Sequence, residues 1–179
     1  MSAARTVYGC LAAVSLTMGV GAQALAASPV EERTLIMELM DRYGVVHDFG
    51  SPAEFAALFT DDATIVSGGN TVAQGREALL KQAQQDHDKC GTFEGPGGSK
   101  SSIMRHVVTN RLVKLTGRTT AEGSSYVITL INDRATGPQV FSMSRYVDRY
   151  RKVKGEWRIQ HRDIIGESGN PEIARKLFR

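Results

Sequence analysis

The chain has 179 residues, of which 41% are apolar and 23% charged. That balance excludes a disordered chain and suits one domain with a core of its own. The net charge of +3 is spread over interleaved basic and acidic residues, which excludes the one-sided basic cluster of a nucleic-acid footprint.

Residues 1–27 differ from the rest. Arg5 is the only charge before Glu31, an apolar stretch runs from Val7 to about Val20, and Ala24-Leu25-Ala26-Ala27 follows. A basic start, an apolar core and a small-x-small site make a secretory signal peptide. The apolar core is short for a membrane span. The expectation is cleavage and an exported chain, periplasmic or secreted, that comprises residues 28–179 and has no stable membrane span. Cleavage removes Cys10 and leaves Cys90 alone, so no intramolecular disulfide forms and the core must hold the fold. His87 and Cys90 have the spacing of a metal pair, but no second pair accompanies them, and no metal site is expected.

Ser28-Pro29-Val30-Glu31 combines a capping box with proline at the first helical position. The helix it starts carries Leu35, Ile36, Leu39, Met40, Tyr43 and Val46 as a buried stripe and ends near His47-Asp48-Phe49-Gly50. Ser51-Pro52-Ala53-Glu54 repeats the start signal for a short second helix with Phe55, Leu58 and Phe59. A short strand, Ala63 to Ser67, and a turn at Gly68-Gly69-Asn70 follow. Gly75-Arg76-Glu77 opens a third helix through about Asp86, with Ala78, Leu79 and Ala83 on its apolar side. The glycine-rich stretch from His87 to Ser102 reads as a loop.

From Ile103 onward the pattern is of long strands joined by tight turns: 103–115, 119–131, 140–153 and 156–165. Asn170-Pro171 caps a terminal helix with Ile173 and Leu177. Helices first and a sheet after them make the class α+β.

The first long strand holds the main chemical signal. Strand alternation puts His106, Val108, Asn110 and Leu112 on one face and Arg105, Val107, Thr109 and Arg111 on the other. Burying an imidazole or carboxamide without a partner costs roughly 2–7 kcal/mol, so His106 and Asn110 each need one, either within the fold or in a ligand.

Three passages together resemble the SnoaL-like branch of the nuclear transport factor 2-like superfamily. Tyr43…Asp48 followed by Leu58-Phe59-Thr60-Asp61-Asp62-Ala63 looks like the family's helix, corner and entry into the first strand. Gly75-Arg76-Glu77-Ala78-Leu79 is similar to its third helix. Arg105-His106…Asn110, Ser125-Tyr126, Ser144-Arg145-Tyr146-Val147-Asp148 and Trp157-Arg158-Ile159…Arg162 follow its strands. The resemblance implies a cone-shaped curved antiparallel sheet with three N-terminal helices enclosing a pocket. It also implies that an acidic residue ending the first helix, Asp48, meets a strand histidine, His106, in that pocket. Scytalone dehydratase-like members carry Tyr-Asp at the corner, and here it reads His47-Asp48.

If they meet, the Asp48 carboxylate holds the His106 tautomer, and His106 can take a proton from an activated carbon and return it elsewhere. Delivery to a leaving hydroxyl gives a dehydratase, and delivery to another carbon gives an isomerase. Neither needs a metal or an organic cofactor, and no phosphate-loop or dinucleotide signature is present. Asn110, Tyr43, Tyr126 and Tyr146 are the candidate substrate contacts, and each has a bland reading as core or surface packing. Asp148 is a candidate second pocket carboxylate. Trp157, Ile159, His161 and Asp163 share a strand face, where His161 and Asp163 point in parallel and read as structural. The alternative is a non-catalytic small-ligand-binding or assembly module on the same fold. The superfamily's habit is a homodimer through the outer sheet face.

Overall fold

The computed structural model describes residues 27–94, 96–98 and 100–177. The signal-peptide expectation for residues 1–27 lies outside them but for Ala27. Helices α1 (Pro29–Phe49) and α2 (Pro52–Ala57) come first, strands β1 (Phe59–Ser67) and β2 (Asn70–Gln74) follow, and helix α3 (Gly75–Lys89) comes after them. A small hairpin, β3 (Thr92–Glu94) and β4 (Lys100–Ser102), precedes four long strands: β5 (Met104–Leu115), β6 (Thr120–Asp133), β7 (Gly137–Val153) and β8 (Glu156–Gly169). Helix α4 (Pro171–Leu177) closes the chain. Both capping boxes form. Ser28 and Ser51 each accept from the backbone N–H of the glutamate three residues on, and Glu31 and Glu54 reach back to the serine N–H. Among the described residues, no helix is long and apolar enough to cross a membrane.

Six strands form one curved sheet in the order β2-β1-β8-β7-β6-β5. All neighbours are antiparallel except β1 and β8, which run parallel. The sheet is therefore mixed, and the purely antiparallel expectation is corrected there. The stretch read as a loop also carries structure: α3 runs on to Lys89, and β3 pairs with β4. Inner-face residues Ala121, Val127, Tyr146, Tyr150, Trp157 and Ile159 pack against Ile36, Leu39, Met40 and Tyr43 of α1, Phe55 of α2 and Leu79 of α3. Leu35, expected in the α1 stripe, is exposed.

Two bulges decide which side chains enter the cone, because inserting one residue into a strand moves every later side chain to the other face. The first lies between Thr109 and Leu112 of β5, with Asn110 at a positive φ of 51°, a conformation asparagine tolerates. Before it His106 and Val108 face inward. After it Arg111, Val113 and Leu115 do so, while Asn110 and Leu112 face solvent. The second lies in β8 between Ile159 and His161, opposite Tyr150 and Arg149. It turns His161 outward and sends Arg162 into the core.

There Arg162 grips Asp148 with two hydrogen bonds, Nε to Oδ1 at 2.9 Å and Nη2 to Oδ2 at 2.7 Å. Tyr150 donates to the same Asp148 oxygen at 2.6 Å. The guanidinium lies between the rings of Tyr43 and Tyr146, 3.9 and 4.1 Å from their centroids. Asp148 is thus a member of the core and not a pocket carboxylate.

Candidate active site

The site forms where α1 meets β5, one of the two edge strands of the sheet. An edge strand presents unpaired backbone groups that must be covered, and α1 covers this one. Gly44 permits the approach, since a Cβ there would stand 3.0 Å from the His106 carbonyl oxygen and 3.5 Å from Val108 Cγ2. One helical turn later, Asp48 reaches the strand. Its Oδ2 accepts the His106 backbone N–H at 2.9 Å, and its Oδ1 lies 2.7 Å from His106 Nδ1. One carboxylate therefore holds both the backbone and the ring of the same residue. Arg105 Nε lies 3.6 Å from Asp48 Oδ2, with its guanidinium over the Phe49 ring. A carboxylate at the negative end of a helix needs such cations nearby.

A carboxylate can only accept, so Nδ1 carries the ring proton and Nε2 keeps its lone pair. Burial pushes His106 below the ordinary histidine value. The Asp48 hydrogen bond opposes that, and the neighbouring His47 adds to the lowering. The result at neutral pH is a neutral imidazole with a fixed tautomer, the form of a general base.

Asp48 and His106 line a cavity of about 210 Å³, together with His47, Asp86, His87, Lys89, Cys90, Gly91, Ser102 and Met104. The ends of α1 and α3, the first residues of β5 and the β3–β4 hairpin make its walls. His47 sits beside His106 with ring centroids 4.3 Å apart, and its Nε2 lies 3.5 Å from Asp86 Oδ2. Burial works to raise the Asp86 carboxyl, but the His47 ring and the Gln82 amide outweigh it and hold it below the ordinary carboxylate range. Burial, then Asp86, raises the Cys90 thiol, which keeps it protonated and a poor nucleophile.

Donor atoms of His47, Asp48 and His106 lie within 4.8 Å of one another, which raises the question of a metal. Ligands around tetrahedral zinc stand about 3.3 Å apart at bond lengths near 2.0–2.1 Å. The Asp48–His106 contact of 2.7 Å is a hydrogen-bond distance, and both Asp48 oxygens are already engaged. The geometry between Asp48 and His106 is that of a hydrogen-bonded pair.

A family profile for the SnoaL-like domain matches residues 28–163. The chain belongs to the SnoaL-like family. Comparison with curated proteins gave no match. Among solved structures, this SnoaL-like chain is similar to a Mycobacterium tuberculosis protein of unknown function, with 24% identity, 81% of this chain and 79% of that chain covered, and a TM-score of 0.65. It is also similar to a nuclear transport factor 2-like protein with a cystatin-like fold from Novosphingobium aromaticivorans, with 23% identity, coverage of 84% and 90%, and a TM-score of 0.66. A protein of the same organism that carries the provisional name scytalone dehydratase has 22% identity, coverage of 79% and 87%, and a TM-score of 0.63. These likenesses establish the cone fold.

Of the residues singled out from sequence, the structure brings Asp48 and His106 together and separates them from the rest. Tyr43 and Tyr146 are buried against Arg162 beneath the pocket. Tyr43 turns away from Asp48 because α1 stays helical through both positions. Asn110 is exposed at the bulge, and Tyr126 is half exposed on the outer face between Thr109 and Arg145. Neither lines the pocket, and as substrate contacts of this pocket both are corrected. The residues sequence reasoning passed over are His47 and Asp86. A signal existed for each: His47 continues the α1 stripe of Ile36, Met40 and Tyr43, and Asp86 continues the α3 stripe of Leu79 and Ala83. Polar groups that extend an apolar stripe to a helix end point into whatever the helix covers.

Proposed function

We propose that this SnoaL-like protein is a cofactor-free lyase of the dehydratase type, or an isomerase, acting on a small apolar molecule that bears a hydroxyl or carbonyl. The observation that carries the reading is the double grip of Asp48 on His106, which leaves Nε2 as the ring nitrogen available to a pocket ligand. His106 takes a proton from a carbon activated by a carbonyl. It returns the proton to a departing hydroxyl or to another carbon, and Asp48 stabilises the imidazolium between the two steps. The cavity of about 210 Å³ suits a single-ring molecule, since about 150 Å³ accommodates benzene.

The test is a ring titration of His106 by NMR in the wild type and in Asp48→Asn, followed by a dehydratase and isomerase screen. Uncoupling is expected to shift the His106 titration to lower pH and to reduce turnover by about 10²–10⁴-fold, the usual contribution of a general acid–base group. An unresponsive ring would leave the second reading, a non-catalytic ligand-binding or assembly module. One observation favours that reading: Tyr43, Tyr146 and Arg162 fill the cone beneath the pocket and keep the cavity small.

We also propose a homodimer through the outer sheet face, where Val107, Tyr126, Met143 and Val147 are exposed. Sedimentation of the wild type against Tyr126→Lys checks this. Export follows from residues 1–27 and is checked by the N-terminal mass of the mature protein, expected to begin near Ser28.

A further inference from the structure

We propose that the pocket is the inner half of a two-part ligand site, whose outer half, a groove beside α2, takes a protonated amine on Glu54. The inference rests on the pocket being a substrate site. It deepens that reading by naming the substrate class, a single-ring molecule with an ammonium-bearing arm.

A second cavity, of about 470 Å³, lies between the α1–α2 corner and Gly91-Thr92, and Phe49, Ser51, Glu54 and His87 line it. It shares Asp48, His87 and Gly91 with the pocket of about 210 Å³. The two spaces therefore adjoin where α1 and α3 end. Gly91, at a φ of 49° that glycine adopts freely, brings no side chain to the joint. A ring beside His106 can thus extend an arm past His87 and Gly91 into the groove.

Charge decides what the arm carries. Among the described residues lining the two cavities, Lys89 is the single lysine or arginine, against the carboxylates of Asp48, Glu54 and Asp86. Two of those carboxylates are already engaged. Asp48 holds the N–H and ring of His106, with Arg105 Nε at 3.6 Å. Asp86 accepts from Gln82 at 3.0 and 3.1 Å, and the Lys89 charge also favours its ionised form. Glu54 differs. Its Oε2 accepts the Ser51 N–H at 2.7 Å and the Ser51 hydroxyl at 2.8 Å, which orients the side chain. Its Oε1 is free among the described residues. The same Ser51 bonds hold the carboxyl below the ordinary range, so it is charged at neutral pH.

The backbone points the same way. Helices α1 and α3 both end at the joint, and the carbonyl end of a helix favours a cation. The start of α2 would favour an anion, but the Ser51–Glu54 capping box occupies it. Arg105 does not line the groove and is committed to Asp48 and the Phe49 ring. An ammonium group in the groove therefore meets an oriented carboxylate oxygen. A carboxylate there meets a like charge.

The test uses four probes that share one ring: phenol, tyramine, its hydroxyl counterpart 4-(2-hydroxyethyl)phenol, and 4-hydroxyphenylacetate. Dissociation constants and shifted amides are read by ¹H–¹⁵N NMR at neutral pH in the wild type and in Glu54→Gln. Tyramine is expected to bind about threefold to fivefold tighter than the hydroxyl probe, the yield of an exposed ion pair, and the carboxylate probe weakest. Tyramine should shift amides at both Met104–His106 and Ser51–Glu54. Glutamine also serves in a capping box, so Glu54→Gln should fold and lose the amine preference, with phenol as the reference. Equal affinities for the three arms, a preference that survives Glu54→Gln, or tyramine shifts confined to the pocket would overturn the two-part site. Phenol reads the underlying pocket separately. If phenol shifts His106 while no arm is preferred, the pocket stands and the groove proposal falls. If no probe shifts His106, the pocket reading falls and takes the two-part site with it.

Discussion

Asp148 and Asp48 are both buried carboxylates held against a nitrogen base on a strand of the sheet, His106 on edge strand β5 and Arg162 on interior strand β8, yet they do different things. Asp148 meets a permanent cation, Arg162, in a two-bond grip, takes a third bond from Tyr150, and is enclosed by Tyr43 and Tyr146. Burial works against the Arg162 charge, but Asp148 outweighs it and pushes Arg162 further above the ordinary arginine value. Arg162 therefore keeps its charge near neutral pH. Asp48 meets a base that can lose and regain its proton, and the pair lines open space. Burial and charge are common to both, so neither marks a site by itself. What differs is a titratable partner with one nitrogen left for a ligand.

Removing each carboxylate gives the largest separation. Asp148→Ala leaves a buried guanidinium unpaired and is expected to cost about 3–5 kcal/mol in denaturant unfolding. Asp48→Ala leaves the His106 N–H and ring without their acceptor, at the rim of a cavity that water can enter, and is expected to cost about 1–3 kcal/mol. Equal losses would erase the distinction between a structural pair and a poised one.

A smaller effect addresses how the poised pair is assembled. Gly44→Val puts methyl groups against the His106 carbonyl, where a single Cβ already stands at 3.0 Å. Overpacking of this kind costs about 1–3 kcal/mol. The helix should also back away from β5, so the His106 ring titration should approach that of Asp48→Asn. The Asp148–Arg162 pair, which does not touch α1 at Gly44, should be unaffected.

The smallest effect is the pH dependence of stability. His106 is held below its ordinary value of 6.5, so the unfolded chain binds a proton that the folded chain refuses. Its contribution is complete above 6.5 and declines as pH falls through the lower folded value. The loss is about 1.4 kcal/mol for each tenfold reduction in proton affinity. Thermal unfolding should show a steeper slope in the wild type than in His106→Gln, where His161, also held below its ordinary value by burial and then by Arg149, still contributes. Arg162, shifted away from this range, adds nothing to it.

The elements could be read because their signals are local. Ser28 and Ser51 announce their helices through side chains that bond their own backbone neighbours, and Asn170 does the same for α4. His106 could be picked out because an imidazole among alternating apolar residues needs a partner. Asp48 entered through a resemblance, not through spacing. Asn110 and Arg162 show where reading fails. Each changes face through a bulge that is defined by the neighbouring strand's register and leaves no mark in the local alternation. The parallel pairing of β1 with β8 was hidden for a related reason, as those segments are far apart in the chain.

The sequence by itself determined the helix starts, the turns, the strand stretches and the apolar stripes, because caps, glycines and periodicity act over a few residues. Tertiary structure alone decided which carboxylate met which base. That choice depends on strand register, where one inserted residue reverses a face, and on how closely a helix can approach an edge strand, which the missing side chain of Gly44 permits. His47 and Asp86 were visible as polar ends of two separate stripes. Only the packing of α1 and α3 around one pocket made them neighbours.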